Sequence, residues 1–120
     1  MAALALTLTE TGQRGGGGMQ CSWGTLAADT GDYTTGGIAP SPTFPTMDQI
    51  SNREPDIVFF TCEDGYALSY DISAGKIIIR AQTATPSEDD ALGELTTASG
   101  AAAAVGGNQQ WMAIWFAQVP

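Results

Sequence analysis

Histidine is absent from the 120 residues, which removes the nucleophile–histidine pairs and imidazole acid–base steps on which many enzymes depend. The side chains left to move a proton are carboxylates, gathered as Glu63-Asp64 and Glu88-Asp89-Asp90. Acid–base hydrolysis needs two carboxyl groups facing each other across a substrate, about 5–9.5 Å apart in glycosidases. Neighbours in a turn or loop do not face each other, and solvated acidic loops are the simpler reading of both runs. The second run also lacks the alternating Asp-x-Asp-x-Asp-Gly pattern of a calcium loop. Cys21 and Cys62 form no C-x-x-C pair and no metal-ligand spacing. They read as two buried thiols on strands, with a disulfide open if their Cα atoms come within about 7 Å. Gly15 to Gly18 invites a phosphate cradle, but no Lys-Ser/Thr pair and no helix follows it. No catalytic, cofactor-binding or metal-ligating residue is assigned, and a non-enzyme is expected.

Aromatic side chains offer a different chemistry. Trp23, Trp111 and Trp115 would stack on sugar faces if exposed together, and Trp111 and Trp115 share one face of a strand. Tryptophans that alternate with small residues also suit a packed interior. Both readings stay open at this point.

These residues must be carried by strands. Leu4, Leu6 and Leu8 alternate with Ala5, Thr7 and Thr9, predicting a strand over 3–10 with one buried face. Four glycines, Gly15 to Gly18, then predict a flexible hinge or long hairpin tip, because each costs entropy in a packed element. Met19, Cys21 and Trp23 alternate with Gln20 and Ser22, predicting a second strand to about Ala28. Between Asp29 and Met47 the density of glycine and proline predicts an irregular loop, and Tyr33, Ile38 and Phe44 favour a docked one. A three-stranded meander is expected over Ile57 to Cys62, Tyr66 to Tyr70 and Lys76 to Gln82, with Glu63-Asp64-Gly65 as a tight hairpin turn. Thr83 to Glu94 reads as a solvated acidic loop, Leu95 to Ser99 as a short strand, and Ala101 to Ala104 as extended or irregular. A last strand is expected over Gln110 to Val119. The fold class expected is all-β: an antiparallel two-sheet β-sandwich, jelly-roll-like, with long loops. Residues 1–18 would form an N-terminal strand or arm with its glycine hinge, and residues 19–120 the sandwich.

Composition narrows the partners. Only 14% of residues are charged, against about 25% in an average domain, which leaves much surface free for burial against another protein. A formal net charge of -9 repels phosphates and anionic headgroups, so no direct nucleic acid contact and no membrane contact are expected. The apolar start of the chain lacks a basic leader, and no apolar run approaches the roughly 20 residues of a membrane span; a soluble product made inside the cell is expected. The strands Ile57-Val58-Phe59-Phe60, Lys76 to Ile79 and Trp111 to Ala117 are apolar on both sides. One sheet face packs inward, so a partner or the long loop must cover the other.

The segments Cys21 to Asp29, Gly31-Asp32-Tyr33-Thr34-Thr35-Gly36-Gly37, Asp56 to Phe60 and Gly65 to Ile77 together resemble the capsid decoration, or cement, proteins of tailed bacteriophages. The likeness spans roughly residues 19 to 82, with a weaker echo at 110–116. Its most specific part joins the Tyr-Thr-Thr-Gly-Gly loop to the Gly-Tyr-x-x-x-Tyr-Asp-x-x-x-Gly-Lys hairpin. The sequence departs from the family at Pro40, Pro42 and Pro45 and matches little over 83–107. The resemblance implies a β-sandwich without catalytic residues or cofactors, located on the outer face of the virion and made in the host bacterial cytoplasm. Its partners would be the phage major capsid protein and itself, as a homotrimer or, second, a dimer. A receptor- or carbohydrate-binding sandwich of a phage tail or fibre is the alternative. The candidate capsid or inter-subunit contacts are then Leu4, Leu6 and Leu8 on an arm, Tyr33, Gly36, Gly37 and Phe44 on the loop, and Ile78, Trp111 and Trp115 on strands.

Overall fold

A computed structural model of the chain describes residues 4–16, 18–29, 33–47, 53–61, 66–81, 93–94 and 109–116. Seven strands and one helical turn occupy them: β1 (Leu6–Gly16), β2 (Met19–Ala28), α1 (Phe44–Met47), β3 (Ile57–Thr61), β4 (Ala67–Asp71), β5 (Lys76–Ala81), β6 (Gly93–Glu94) and β7 (Gln109–Phe116). They make two antiparallel sheets, β1-β2-β7-β3 and β4-β5-β6, and the protein is all-β in class. Side chains from both sheets join one core, in which Leu6, Leu8, Leu26, Ile77, Ile79, Trp111 and Trp115 are buried. Burial of each large apolar side chain is worth about 1.5–3 kcal/mol, so this shared core is what holds the sheets together.

The first strand runs further than its leucine alternation predicts. It pairs with β2 from Leu6↔Ala28 to Gly16↔Met19, with a register shift between Glu10 and Gly12. Gly15 and Gly16 are therefore ladder residues at the hairpin end, and Gly18 turns the chain with φ 87°. Edge-strand hydrogen bonds to β2 fix these glycines despite their entropy. Leu4, Leu6 and Leu8 face the core, so within one chain this segment is an edge strand and not an extended arm.

The expected meander is split between the sheets. β3 pairs with β7, through Phe60↔Trp111 and Phe59↔Met112, while β4 pairs with β5. A strand apolar on both sides finds a better edge beside β7 than beside β4, and turn residues alone do not distinguish a hairpin from a crossing between sheets. The connection itself, with Cys62, Glu63, Asp64 and Gly65, lies outside the described residues, as do Glu88-Asp89-Asp90, Leu95 to Ser99 and Ala101 to Ala104.

The loop docks, as its apolar residues predict. Tyr33, Ile38, Phe44 and Met47 are buried in the core, and Ile38 forms a two-hydrogen-bond bridge with Ile77 of β5. Ser41 bridges Thr7 at the outer side of β1. The turn α1 was not expected from the sequence; Pro45 sits in its first turn, where a missing N–H costs nothing. Phe44 then meets Tyr70, Trp111 and Phe60 edge-on at ring separations of 4.6, 5.5 and 6.4 Å.

Candidate functional site

The residues that could make contact with another molecule are set by which side of the four-stranded sheet each strand turns outward. Trp111 and Trp115 go inward, and each indole N–H donates to a backbone carbonyl, Trp111 Nε1 to Thr25 O at 3.0 Å and Trp115 Nε1 to Arg53 O at 2.7 Å. Room for these rings comes from β2, which places Gly24 opposite Trp111, Ser22 opposite Ala113 and Gln20 opposite Trp115. That choice turns Gln20 and Ser22 inward and Met19, Cys21 and Trp23 outward, against the simple expectation that tryptophan and cysteine are the buried parity. The volume of the facing strand decides the parity here, ahead of the polarity of β2 itself.

The outward side is a continuous apolar field. One cross-strand row runs Gly12, Trp23, Met112, Phe59, the next Arg14, Cys21, Ile114, Ile57, and a third Gly16, Met19, Phe116. Phe59 is 56% exposed, Phe116 45%, Met19 44%, Met112 41% and Trp23 37%. Soluble proteins rarely leave so many large apolar side chains together on one surface unless it binds something. The docked loop does not cover them, because its buried residues contact the opposite side of the sheet through Phe60 and Trp111.

Electrostatics separate this field from the rest of the chain. Of the thirteen acidic residues only Glu10 lies on these four strands, and its register partner Gly24 belongs to the inward rows. Asp56, at the border, is engaged by Arg53 at 3.2 Å and accepts from Phe116 N–H at 2.7 Å. Among the described residues this face carries no carboxylate, so its burial would desolvate one charged group, Arg14 on β1.

No family model, curated protein or solved structure matches the chain.

Most of the residues expected to meet a partner sit elsewhere. Leu4, Leu6, Leu8, Tyr33, Phe44, Trp111 and Trp115 are core residues, Gly37 is buried, Ile78 half-buried and Gly36 exposed. A surface of paired tryptophans is thereby excluded for Trp111 and Trp115; only Trp23 reaches solvent. Tyr33 and Gly36 instead pin the loop: the Tyr33 hydroxyl and Gly36 N–H both donate to Glu94 Oε2 at 2.6 Å, and Ile79 N–H donates to Tyr33 Oη at 3.3 Å. These bonds hold the Glu94 carboxyl below its usual range, with the Tyr33 bond the larger cause. Burial, then the bond to Glu94, pushes the Tyr33 hydroxyl up to about 12. The signal for the outward field was present in the sequence as strands apolar on both sides; what was missing was the pairing that assigns each parity.

Among the described residues no group of three Cys, Asp or Glu side chains is placed to hold a metal ion. No helix among them is long and apolar enough to cross a membrane. Cys21 carries a free thiol on the outward face.

Proposed function

We propose that the chain is a virion structural protein that binds the outer surface of a bacteriophage capsid and stabilises the shell. The observation that carries the reading is the exposed, carboxylate-free face of Trp23, Met112, Phe59 and their neighbours, a surface whose burial needs a protein partner. The resemblance adds the identity of that partner, the major capsid protein. Its two most specific segments also meet in space: Ile38, just after the Tyr33-to-Gly37 loop, bridges Ile77, just after the hairpin's Gly75-Lys76. Gly37 lies against that strand with φ 106°, where a Cβ would stand 3.0 Å from Ile77 O. The loop and the hairpin thus pack as one unit in this chain.

In this reading the jelly-roll sandwich, the homotrimer and the location on the outer capsid face belong together. Anything that binds the assembled shell and not its parts stabilises the assembly by mass action. An oligomer touching several capsid subunits gains further from high effective concentration, so a modest face per subunit suffices. A net charge of -9 suits the outer surface, away from packaged nucleic acid. The test is abundance in purified particles. Copy number near that of the major capsid protein is expected; a few copies per particle overturns the reading in favour of a tail or fibre component.

A further inference from the structure

One side of β5 is paired with β4, from Asp71↔Lys76 to Ala67↔Arg80. Its other side is closed by separate pieces. Ile38 exchanges two backbone hydrogen bonds with Ile77, at 2.9 and 2.8 Å, the Tyr33 hydroxyl accepts from Ile79 N–H at 3.3 Å, and the two residues of β6 pair with Arg80 and Ala81. Among the described residues no continuous strand runs along this side.

Glu94 ties the pieces together. Its Oε2 accepts from the Tyr33 hydroxyl and from Gly36 N–H, each at 2.6 Å, so one carboxylate of β6 holds the segment that carries Ile38. Tyr33 and Ile38 are themselves core residues, which makes the segment lift as a unit when it lifts at all.

The strand beneath is the reason to cover it. Ile77-Ile78-Ile79 is the only run of three β-branched residues in the chain, a composition that pairs with copies of itself once its backbone edge is bare. Lys76 and Arg80 flank the run, as charged gatekeepers flank strands that must not self-associate. Two such strands laid antiparallel about Ile78 would set Lys76 against Arg80. Charge thus opposes the pairing, and the covering pieces occupy the hydrogen bonds it needs.

We propose that residues 33–38 and β6 form a guard, fastened by Glu94, that keeps β5 from pairing with β5 of a second copy. The guard acts on this chain whatever larger partner it binds.

Native-state hydrogen exchange at neutral pH reads the fastening. In Glu94→Gln the amides of Ile38 and Ile77, whose own bonds do not involve Glu94, exchange at least about tenfold faster, while those of β2 and β7 exchange as in wild type. Unchanged exchange at Ile38 and Ile77 overturns the guard, and so does an equal acceleration in β2 and β7, which marks global destabilisation. A second measurement reads the edge. Tyr33→Phe combined with Glu94→Gln, folded by circular dichroism, is incubated at high concentration beside wild type; where the double variant does not fold, Glu94→Gln alone takes its place. Sedimentation and thioflavin fluorescence show the variant assembling and wild type not, and quenched exchange on the assemblies finds Ile77 and Ile79 protected again. A variant that exchanges fast at Ile77 yet stays monomeric overturns the proposal, as does equal assembly of wild type. Assemblies in which Ile77 and Ile79 stay unprotected overturn it too and place self-association on another surface.

Discussion

Gly24 shows how tightly single residues constrain the sheet. A Cβ there would lie 1.8 Å from Thr9 O, a backbone atom of the neighbouring strand at the register shift. Gly24→Ala must push β1 away from β2 and is expected to cost about 2–3 kcal/mol in urea unfolding. Gly12→Ala meets only the movable ring of Trp23, so it should shift tryptophan emission while changing stability by less than about 1 kcal/mol. The Tyr33–Glu94 pin makes stability depend on pH at both ends. Glu94 has a lowered folded pKa, so its contribution is present above the ordinary glutamate range and fades as pH falls through the folded value. Tyr33 is raised, so its contribution is present below pH 10 and is lost as pH climbs towards about 12. Urea midpoints measured across pH should show both declines. Glu94→Gln should flatten the acid one, and Tyr33→Phe the alkaline one. At this scale the sequence was a partial guide: the alternation of Trp111, Ala113 and Trp115 was legible, but the inward turn of Gln20 and Ser22 was not, because it depends on the strand opposite.

Among elements, the docked segment 33–47 was the most legible irregular piece, since Tyr33, Ile38 and Phe44 had no reason to be apolar in a solvated loop. Phe44 anchors it against rings from β3, β4 and β7, and Phe44→Ala is expected to cost about 3–5 kcal/mol, read from chemical denaturation. Early proteolysis within 33–47 would accompany it. The meander was legible strand by strand and misread in its pairing. Ile57 to Thr61 and Ala67 to Asp71 stand where the sequence puts them, yet they belong to different sheets. Local pattern specifies that a strand exists; its neighbours are chosen by complementarity of distant faces, here Phe60 against Trp111. The same limit explains β1, whose leucine pattern stops at Leu8 while its hydrogen bonds continue through glycines that carry no pattern.

For the whole molecule, the outward face and the core are separable in experiment. Replacing Phe59 and Met112 together by serine should cost about 1–2 kcal/mol in urea unfolding, less than a core truncation, because these register partners are half-buried against each other. The same variant should bind an apolar fluorescent dye more weakly than wild type, as a direct measure of what the face contributes. The position of β7 has a further consequence, in time. It lies between β2 and β3, and its residue Phe116 pairs with Met19, so the middle of the four-stranded sheet is made after both strands that it joins. While the ribosome is still adding residues 109–116, β2 and β3 each lack β7 at one edge, and among the described strands the β1–β2, β4–β5 and β5–β6 pairings are able to form from neighbours in sequence. Closure is therefore a late, long-range event on the millisecond-to-second scale typical of such topologies, and the exposed edges of that waiting state are where a cell's chaperones would meet this protein first.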